Sequence, residues 1–214
     1  MKLSTKYEIN CIKTILIDRY KDAKTELQYK NAYELLVAVI LSAQCTDKRV
    51  NIITPVLFEA YPDTASLAKA NLESLKMLIQ SCSFFNNKAT NLIKMAKSVE
   101  SDFSGNIPLD EEKLITLSGV GQKTAHVVMI EYKGANLMAV DTHVFRTSHR
   151  LGLSSSKTVQ KTELDLIKAF KDNLDILHQG MVLFGRYICT AKNPKCQECF
   201  LSEFCKSKKG FKPV

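Results

Sequence analysis

Apolar residues along the chain recur three and four positions apart, and no segment alternates apolar and polar residues clearly enough to predict a strand. Asn31, with Glu34 three positions later, resembles a capping box before the apolar run LLVAVIL. Further helix starts are predicted at Asp63, Asn71, Asn86 or Asn87, Ser156 and Asn173. The last two helices are expected to run to Phe170 and Tyr187. The pattern therefore predicts an all-α fold with short connections, in which composition marks no boundary between subdomains.

One pair of predicted helices is joined by a glycine turn. Residues 111–116 are predicted to form a short helix opened by Pro108 and Asp110, and residues 122–132 a second helix that ends near Gly134. In the turn LSGVG between them, Gly119 and Gly121 suit backbone that takes positive φ or lies close to a ligand. Such a turn presents unpaired amide N–H groups at a helix start, and this kind of corner binds anions.

Lys123 lies in the first turn of the second helix, where the helix dipole favours an acidic residue over a cation. A lysine in this place is expected to lose its proton more readily, and a free amine is a nucleophile toward carbon. The segment alone is equally compatible with a lysine that only contacts a phosphate.

Asp141 follows the apolar run LMAV and precedes a predicted helix at residues 142–151. Its simplest role is the N-cap of that helix. A capping carboxylate uses one oxygen on backbone amides and leaves the other exposed. Capping and catalysis are therefore compatible in this one residue.

A cysteine loop near the C-terminus predicts a metal site. Cys189, Cys196, Cys199 and Cys205 follow the spacing C-x6-C-x2-C-x5-C. Structural zinc sites commonly use two Cys-x-x-Cys pairs, and only Cys196 and Cys199 form such a pair. Iron–sulfur clusters accept irregularly spaced cysteines. The spacing favours a cluster and leaves zinc and unrelated cysteines as alternatives.

The segment LSGVGQKTA, followed by AVDTHVFR, resembles the signature of the helix-hairpin-helix DNA glycosylases, and specifically of their endonuclease III branch. The family motif usually reads Leu-Pro-Gly-Val-Gly-Arg-Lys-Thr-Ala-Asn. Here Ser118 replaces the proline, Gln122 the arginine and His126 the asparagine, while Lys123 and Asp141 remain. These replacements are expected to affect the affinity of the hairpin for DNA phosphates. The cysteine spacing also matches that family's four-iron, four-sulfur cluster loop, which places a 4Fe-4S cluster ahead of zinc.

This resemblance covers nearly the whole chain and implies its architecture. It implies a six-helix domain at residues 25–135 that contains the helix-hairpin-helix at about 111–132. Residues 1–24 together with 136–214 would form a second helical domain, with the cluster loop at 189–205. DNA would bind in a cleft flanked by the two subdomains.

The resemblance also implies DNA contacts. Gln44, in VILSAQCTDKRV, matches the glutamine that fills the space left by a flipped nucleotide. Phe84, in SFFNNKA, stands where the family commonly has a leucine wedge, and a phenylalanine can wedge a base step equally well. The candidate phosphate contacts are Leu117, Gly119, Val120, Gly121, Gln122, Lys192 and Lys195.

The function implied is base excision repair of duplex DNA: removal of oxidised pyrimidines, with strand cleavage at abasic sites. Lys123 would attack the sugar C1′ of an extruded nucleotide and pass through a Schiff base, and Asp141 would stabilise positive charge on the sugar. A role for His143, next to the aspartate, stays open.

Two alternatives come from other functional classes. A mismatch adenine glycosylase of the same superfamily is disfavoured by Lys123, by an apolar residue near Ile40 where that branch carries a glutamate, and by the chain ending near Val214. A non-catalytic helix-hairpin-helix DNA-binding module is disfavoured by Asp141 and by the cysteine loop.

Composition agrees with a DNA-binding protein. The chain has 214 residues and a formal net charge of +8, which suits a polyanionic partner. Charges are scattered through the N-terminal segment without an uninterrupted apolar core, so neither a secretory signal nor a membrane span is predicted. An intracellular, monomeric protein is expected.

Overall fold

The computed structural model describes residues 2–208, and within that range the regular structure is helical with no strand. The helices are α1 Lys6–Tyr20, α2 Ala32–Ser42, α3 Asp47–Ala60, α4 Thr64–Ala68, α5 Leu72–Ile79, α6 Phe85–Phe103, α7 Glu111–Leu114, α8 Gln122–Lys133, α9 Thr142–Arg150, α10 Val159–Phe170 and α11 Leu174–Tyr187. The predicted all-α fold is confirmed. None of the described helices is both long and apolar enough to cross a bilayer.

Short polar side chains begin many of these helices, as the sequence predicts. Asp63 and Asn71 accept hydrogen bonds from first-turn N–H groups of α4 and α5. Asn31 likewise accepts from the N–H of Glu34 at 2.9 Å. The Glu34 carboxylate accepts from the N–H of Lys30 at 2.7 Å, so it reaches one residue further back than a standard capping box would.

Two predicted helix starts are wrong. Helix α6 begins at Phe85 rather than after Asn86 or Asn87, because Phe84 precedes it in a left-handed conformation with φ 58° and no side-chain cap. Helix α10 begins at Val159 with Thr158 as its cap. Ser156 instead donates to the carboxylate of Asp165 at 2.7 Å. The cap of α10 is local, because Oγ1 of Thr158 accepts from the N–H of Lys161 at 3.3 Å, and the sequence offers Ser156 and Thr158 as competing caps.

The chain divides into two compact units, and one of them is the continuous segment Thr25–Gly134. It contains α2 to α8, which is one helix more than the resemblance implies. Every residue of α2 from Tyr33 to Leu41 is buried. A helix that is apolar on all faces must be surrounded, and α2 packs against α3, α6 and α8.

The other unit combines Met1–Lys24 with Ala135–Val214, of which residues 209–214 lie outside the described range. Helices α1, α9, α10 and α11 pack there around a separate core that includes Leu16, Val144, Phe170 and Phe184. The N-terminal segment joins this core through Ser4, whose N–H donates to the carbonyl of Gly152 at 2.9 Å.

Candidate functional site

The glycine turn between α7 and α8 forms where the sequence predicts it. The N–H of Val120 donates to the carbonyl of Leu117 at 3.1 Å and closes the turn. Gly119 takes φ +82°, and a β-carbon at this position would lie 3.1 Å from Cβ of Asn91. The backbone conformation therefore favours glycine at position 119, and the approach to Asn91 leaves little room for a side chain.

Gly121 has a different role from Gly119. Its φ of −99° suits any residue, and a β-carbon there would meet nothing within 4 Å. It is the N-cap of α8 and offers no side chain to the first-turn N–H groups. An anion is therefore favoured at this helix start by both the amides and the dipole.

Two of the predicted phosphate contacts are buried residues. Leu117 is 2% exposed and Val120 is 7% exposed, and both belong to the core of the Thr25–Gly134 unit. Only their main chain can contact a ligand. Gln122 and Lys123, by contrast, are exposed in the first turn of α8.

His126 joins the two helices of the hairpin. It is 4% exposed, and its Nε2 lies 2.9 Å from Oε1 of Glu111, the first residue of α7. A polar contact between buried or half-buried groups restricts how the helices can move. The contact between His126 and Glu111 thus holds α7 and α8 together in a hairpin that has Ser118 where the family motif has a proline.

Asp141 caps α9 as predicted. Its Oδ1 accepts a hydrogen bond from the N–H of Val144 at 2.7 Å, and the side chain is half-buried. The preceding Met138, Ala139 and Val140 are buried and anchor the cap to the core of its unit. In the first turn of α9, Nδ1 of His143 lies 3.3 Å from the guanidinium of Arg146. Asp141 and Lys123 belong to different units of the chain.

Gln44 and Phe84 are exposed at two turns of the Thr25–Gly134 unit. Both have left-handed backbone, with φ 54° and 58°, and 61% of Phe84 is exposed. Left-handed backbone in a residue other than glycine costs about 1–3 kcal/mol and is often found at ligand-binding sites. It also occurs here at Ser104, Lys171, Asn173 and Asn193. The side chains of Gln44 and Phe84, exposed on strained backbone, are suited to contact a ligand.

The four cysteines of the C-terminal loop line one cavity, together with residues that include Arg150 and Phe184. Within residues 2–208, no three His, Cys, Asp or Glu side chains converge closely enough to hold a single metal ion. The four thiols instead surround a space. Burial, together with the neighbouring cysteines, raises the pKa of Cys199 to about 11. Cysteines bind metal centres as thiolates, so the binding of a cluster releases thiol protons.

Arg150 fastens the cysteine loop to α9. Its Nη1 donates to Sγ of Cys189 at 3.3 Å and to the carbonyl of Thr190 at 2.7 Å, and its Nη2 donates to the carbonyl of Ala191 at 3.1 Å. Lys192 and Lys195 are exposed on the same loop. A fixed loop holds these two cations in place at little further entropic cost.

Sequence reasoning did not single out Lys88 or Arg150. A signal for Lys88 exists, since it lies on the face of α6 that also buries Ala89, Leu92 and Met95, where a lysine is out of place. Nothing local marks Arg150, because a basic residue in the last turn of a helix is ordinary.

Comparison with known proteins decides the family. Residues 37–172 match the family model described as HhH-GPD superfamily base excision DNA repair protein, and residues 189–205 match the iron-sulfur binding domain of endonuclease III. The chain is 42% identical to endonuclease III of Rickettsia felis over 198 residues, which cover 92% of this chain and 93% of that protein. The chain belongs to the endonuclease III family. It is likewise 41% identical to the Bacillus subtilis endonuclease III, over 88% of this chain and 87% of that one.

The fold of the endonuclease III family is reproduced over almost the whole chain. A solved structure described as a trapped endonuclease III–DNA covalent intermediate matches with a TM-score of 0.93 and 39% identity. The match covers 97% of this chain and 99% of that one. The all-helical, helix-hairpin-helix fold predicted from the sequence is thereby confirmed.

The cofactor of this endonuclease III family member is a four-iron, four-sulfur cluster, as predicted. The donor set fits it, because Cys189, Cys196, Cys199 and Cys205 line one cavity and supply four thiols. The individual ligand assignments stay predictions that rest on this arrangement.

Proposed function

We propose that the chain removes oxidised pyrimidines from duplex DNA and then cleaves the strand at the resulting abasic site, with Lys123 as the nucleophile. The observation that carries this proposal is the exposed Lys123 in the first turn of α8, directly after an anion-binding turn. The similarity to a trapped endonuclease III–DNA covalent intermediate supports covalent chemistry in this chain.

The nucleophilic step begins with the amine of Lys123 in its neutral form. Its Nζ bonds to C1′ of an extruded nucleotide as the bond between C1′ and the base breaks, and the base leaves with a proton. Loss of a proton from nitrogen and opening of the sugar ring give an imine. Removal of a C2′ proton then expels the 3′ phosphate, and the strand is cut.

Asp141 stabilises the positive charge that develops on the sugar during base loss. The cap on Val144 uses Oδ1 and fixes the carboxylate, so its orientation requires no reorganisation during the reaction. Gln44 and Phe84 are proposed to occupy the duplex at the position of the extruded nucleotide.

Phosphate contacts hold the duplex without reading sequence. They come from the main chain of the turn at Gly119 and Gly121, from Gln122, and from Lys192 and Lys195 on the cluster loop. The cluster would be held by the four cysteines and would keep this loop ordered. We place the protein in the cytoplasm, where the chromosome of a bacterium is found.

Borohydride trapping tests the proposed nucleophile. With a duplex that carries thymine glycol, borohydride should reduce the imine and leave a covalent protein–DNA adduct. Lys123→Gln should abolish the adduct and strand cleavage, because an amide nitrogen cannot form the imine. Affinity for the same duplex, measured by fluorescence anisotropy, should change by less than about tenfold, because at most one phosphate contact is lost.

Lys113→Gln is the matched control, since Lys113 is an exposed lysine of the same hairpin. It should trap at the wild-type rate. An adduct that forms normally in Lys123→Gln, or that maps by mass spectrometry to another lysine, would assign the chemistry elsewhere.

A further inference from the structure

Lys88 occupies a position in the core of the Thr25–Gly134 unit. It is 6% exposed, although it lies on an otherwise apolar face of α6. A buried ammonium group is costly unless hydrogen-bond acceptors replace its water. The hydrogen-bond acceptors of the Lys88 ammonium group therefore show which segments its side chain holds together.

The acceptors are two carbonyls at the C-terminal end of α2, one in its last turn and one in its C-cap residue. Nζ of Lys88 donates to the carbonyl of Leu41 at 2.8 Å and to that of Ala43 at 2.7 Å. Carbonyls at a helix C-terminus lack partners within the helix, and the helix dipole favours a cation there. Burial lowers the pKa of Lys88, and the neighbouring thiols of Cys82 and Cys45 oppose this effect.

Lys88 thereby connects the two exposed turns. Ala43 directly precedes Gln44, so the side chain of Lys88 fixes the turn that carries Gln44. The backbone N–H of Lys88 donates to the carbonyl of Phe84 at 3.1 Å. This is the first helical hydrogen bond of α6, which any residue at position 88 would make, and it places the lysine one turn after Phe84. One residue thus bonds to the turn of Gln44 through its side chain and to Phe84 through its main chain.

A sulfur contact joins the same two turns. Sγ of Cys45, next to Gln44, lies 3.6 Å from Sγ of Cys82, two residues before Phe84. Burial and the contact with Cys45 raise the pKa of Cys82 to about 11, so this thiol is neutral near pH 7. The contact packs the two turns against each other.

We propose that Lys88 is a positioning residue that holds the turns of Gln44 and Phe84 at a fixed separation, so that both side chains enter the duplex together. This inference rests on the proposed function, in which these two residues contact DNA. Lys88 does not touch DNA itself. Its effect must therefore pass through Gln44 and Phe84, and this requirement makes the role testable.

The first experiment measures insertion into DNA directly. A duplex carries a tetrahydrofuran abasic analogue, which blocks the chemistry, and 2-aminopurine in the adjacent position, which brightens when unstacked. Lys88→Met replaces the ammonium by an apolar group of similar length. It should lose most of the 2-aminopurine signal and slow single-turnover base release from thymine glycol about tenfold or more, because displaced groups lose alignment. Affinity for undamaged duplex should stay within about twofold.

Lys97→Met is the matched control, since Lys97 is an exposed lysine on the same helix. It should leave the 2-aminopurine signal, base release and affinity within about twofold of wild type. A loss of signal in Lys97→Met equal to that in Lys88→Met would overturn the positioning role, as would a normal signal in Lys88→Met.

A double-mutant cycle separates positioning from general stabilisation. In the Gln44→Ala background, Lys88→Met should slow base release by less than about twofold further, because the side chain of Lys88 bonds to the Gln44 turn, whose inserting group is already missing, and the main-chain bond to Phe84 persists. A full additional loss would contradict the proposal. If Lys88→Met does not fold, the cycle is repeated with Lys88→Arg, whose wider planar head keeps the charge but displaces a carbonyl. The proposal is supported if Lys88→Arg slows base release in the wild-type background and not in the Gln44→Ala background. It is overturned if Lys88→Arg leaves base release unchanged, or slows it equally in both backgrounds.

Borohydride trapping of the wild-type protein distinguishes a failure of the proposed function from a failure of the role of Lys88. If the wild-type protein forms no borohydride adduct, the proposed function fails. If wild type traps and Lys88→Met inserts and reacts normally, only the role of Lys88 fails.

Discussion

Asp141 combines two roles that depend on different properties of one side chain. The cap needs an oxygen that accepts from the N–H of Val144, which asparagine also provides. Stabilisation of a cationic sugar needs a negative charge, which asparagine lacks. The two roles can therefore be separated by a substitution that keeps the shape and removes the charge.

Asp141→Asn should slow single-turnover release of thymine glycol by about a hundredfold or more, since loss of one electrostatic group at a reacting centre typically has this effect. The free energy of unfolding should change by less than about 0.5 kcal/mol, because asparagine is as good an N-cap as aspartate. Chemical denaturation and quench-flow kinetics measure the two quantities.

Asp63→Asn serves as the control, because Asp63 caps α4 in the same manner and has no proposed contact with DNA. It should retain wild-type kinetics. If Asp141→Asn lost stability and its folded fraction turned over normally, Asp141 would be a cap alone.

At the scale of the element, the helix-hairpin-helix places two glycines under opposite constraints. Gly119 is favoured by the fold, through its positive φ and the 3.1 Å approach to Asn91. Gly121 has an ordinary φ and open space around its missing side chain. If a phosphate occupies the space beside Gly121, the absence of a side chain at this position serves DNA binding rather than folding.

Paired alanine substitutions test this division. Gly119→Ala should lower the free energy of unfolding by about 1–3 kcal/mol, because alanine is strained at positive φ and meets Asn91. Gly121→Ala should change it by less than about 0.5 kcal/mol, since a small loss at an N-cap offsets the reduced entropy of the unfolded chain.

The same two variants differ in DNA binding. Gly121→Ala should weaken binding to damaged and undamaged duplex by about tenfold, because a methyl group keeps a phosphate away from the amides. Fluorescence anisotropy measures both. Unchanged affinity in folded Gly121→Ala would remove the N-terminus of α8 from the interface.

At the scale of the whole molecule, each unit has a hydrophobic core of its own. The core of the Thr25–Gly134 unit includes Leu36 and Leu92, and that of the other unit includes Leu16 and Phe184. The cysteine loop belongs to the second unit and is bonded to α9 through Arg150. Loss of the cluster should therefore disturb one unit first.

Cys199→Ala should remove the cluster, and with it the yellow-brown colour and the approximately four iron and four sulfide ions per chain expected of the wild type. In hydrogen exchange, protection should fall in the cluster loop and α9 and persist in residues 25–134. Binding to damaged and undamaged duplex should weaken. The salt slope, which is the slope of the logarithm of the binding constant against the logarithm of the salt concentration, should decrease in magnitude by about 1.8 if Lys192 and Lys195 each lose one phosphate contact.

Cys11→Ala is the control, because Cys11 lies in α1 outside the cluster loop. It should keep its iron and its salt slope. Stoichiometric zinc in protein prepared without oxygen, or a normal salt slope in Cys199→Ala, would contradict the assigned ligands or the role of the loop.

The sequence by itself determined the features whose causes are local. Asp110, Asp141 and Gly134 mark helix ends because capping depends on a side chain and its own neighbouring amides or on a left-handed turn. The glycine turn, the position of Lys123 and the cysteine spacing were equally readable, since each lies within one short stretch of chain.

The tertiary structure alone decided the features that join distant segments. It buried Leu117 and Val120 so that only their main chain can serve the turn. It brought Lys88 to the carbonyls of Leu41 and Ala43 at the C-terminal end of α2, 47 and 45 positions away in sequence. A buried charge is tolerable only where partners from elsewhere in the chain satisfy it, and hydrophobic periodicity does not specify where those partners lie.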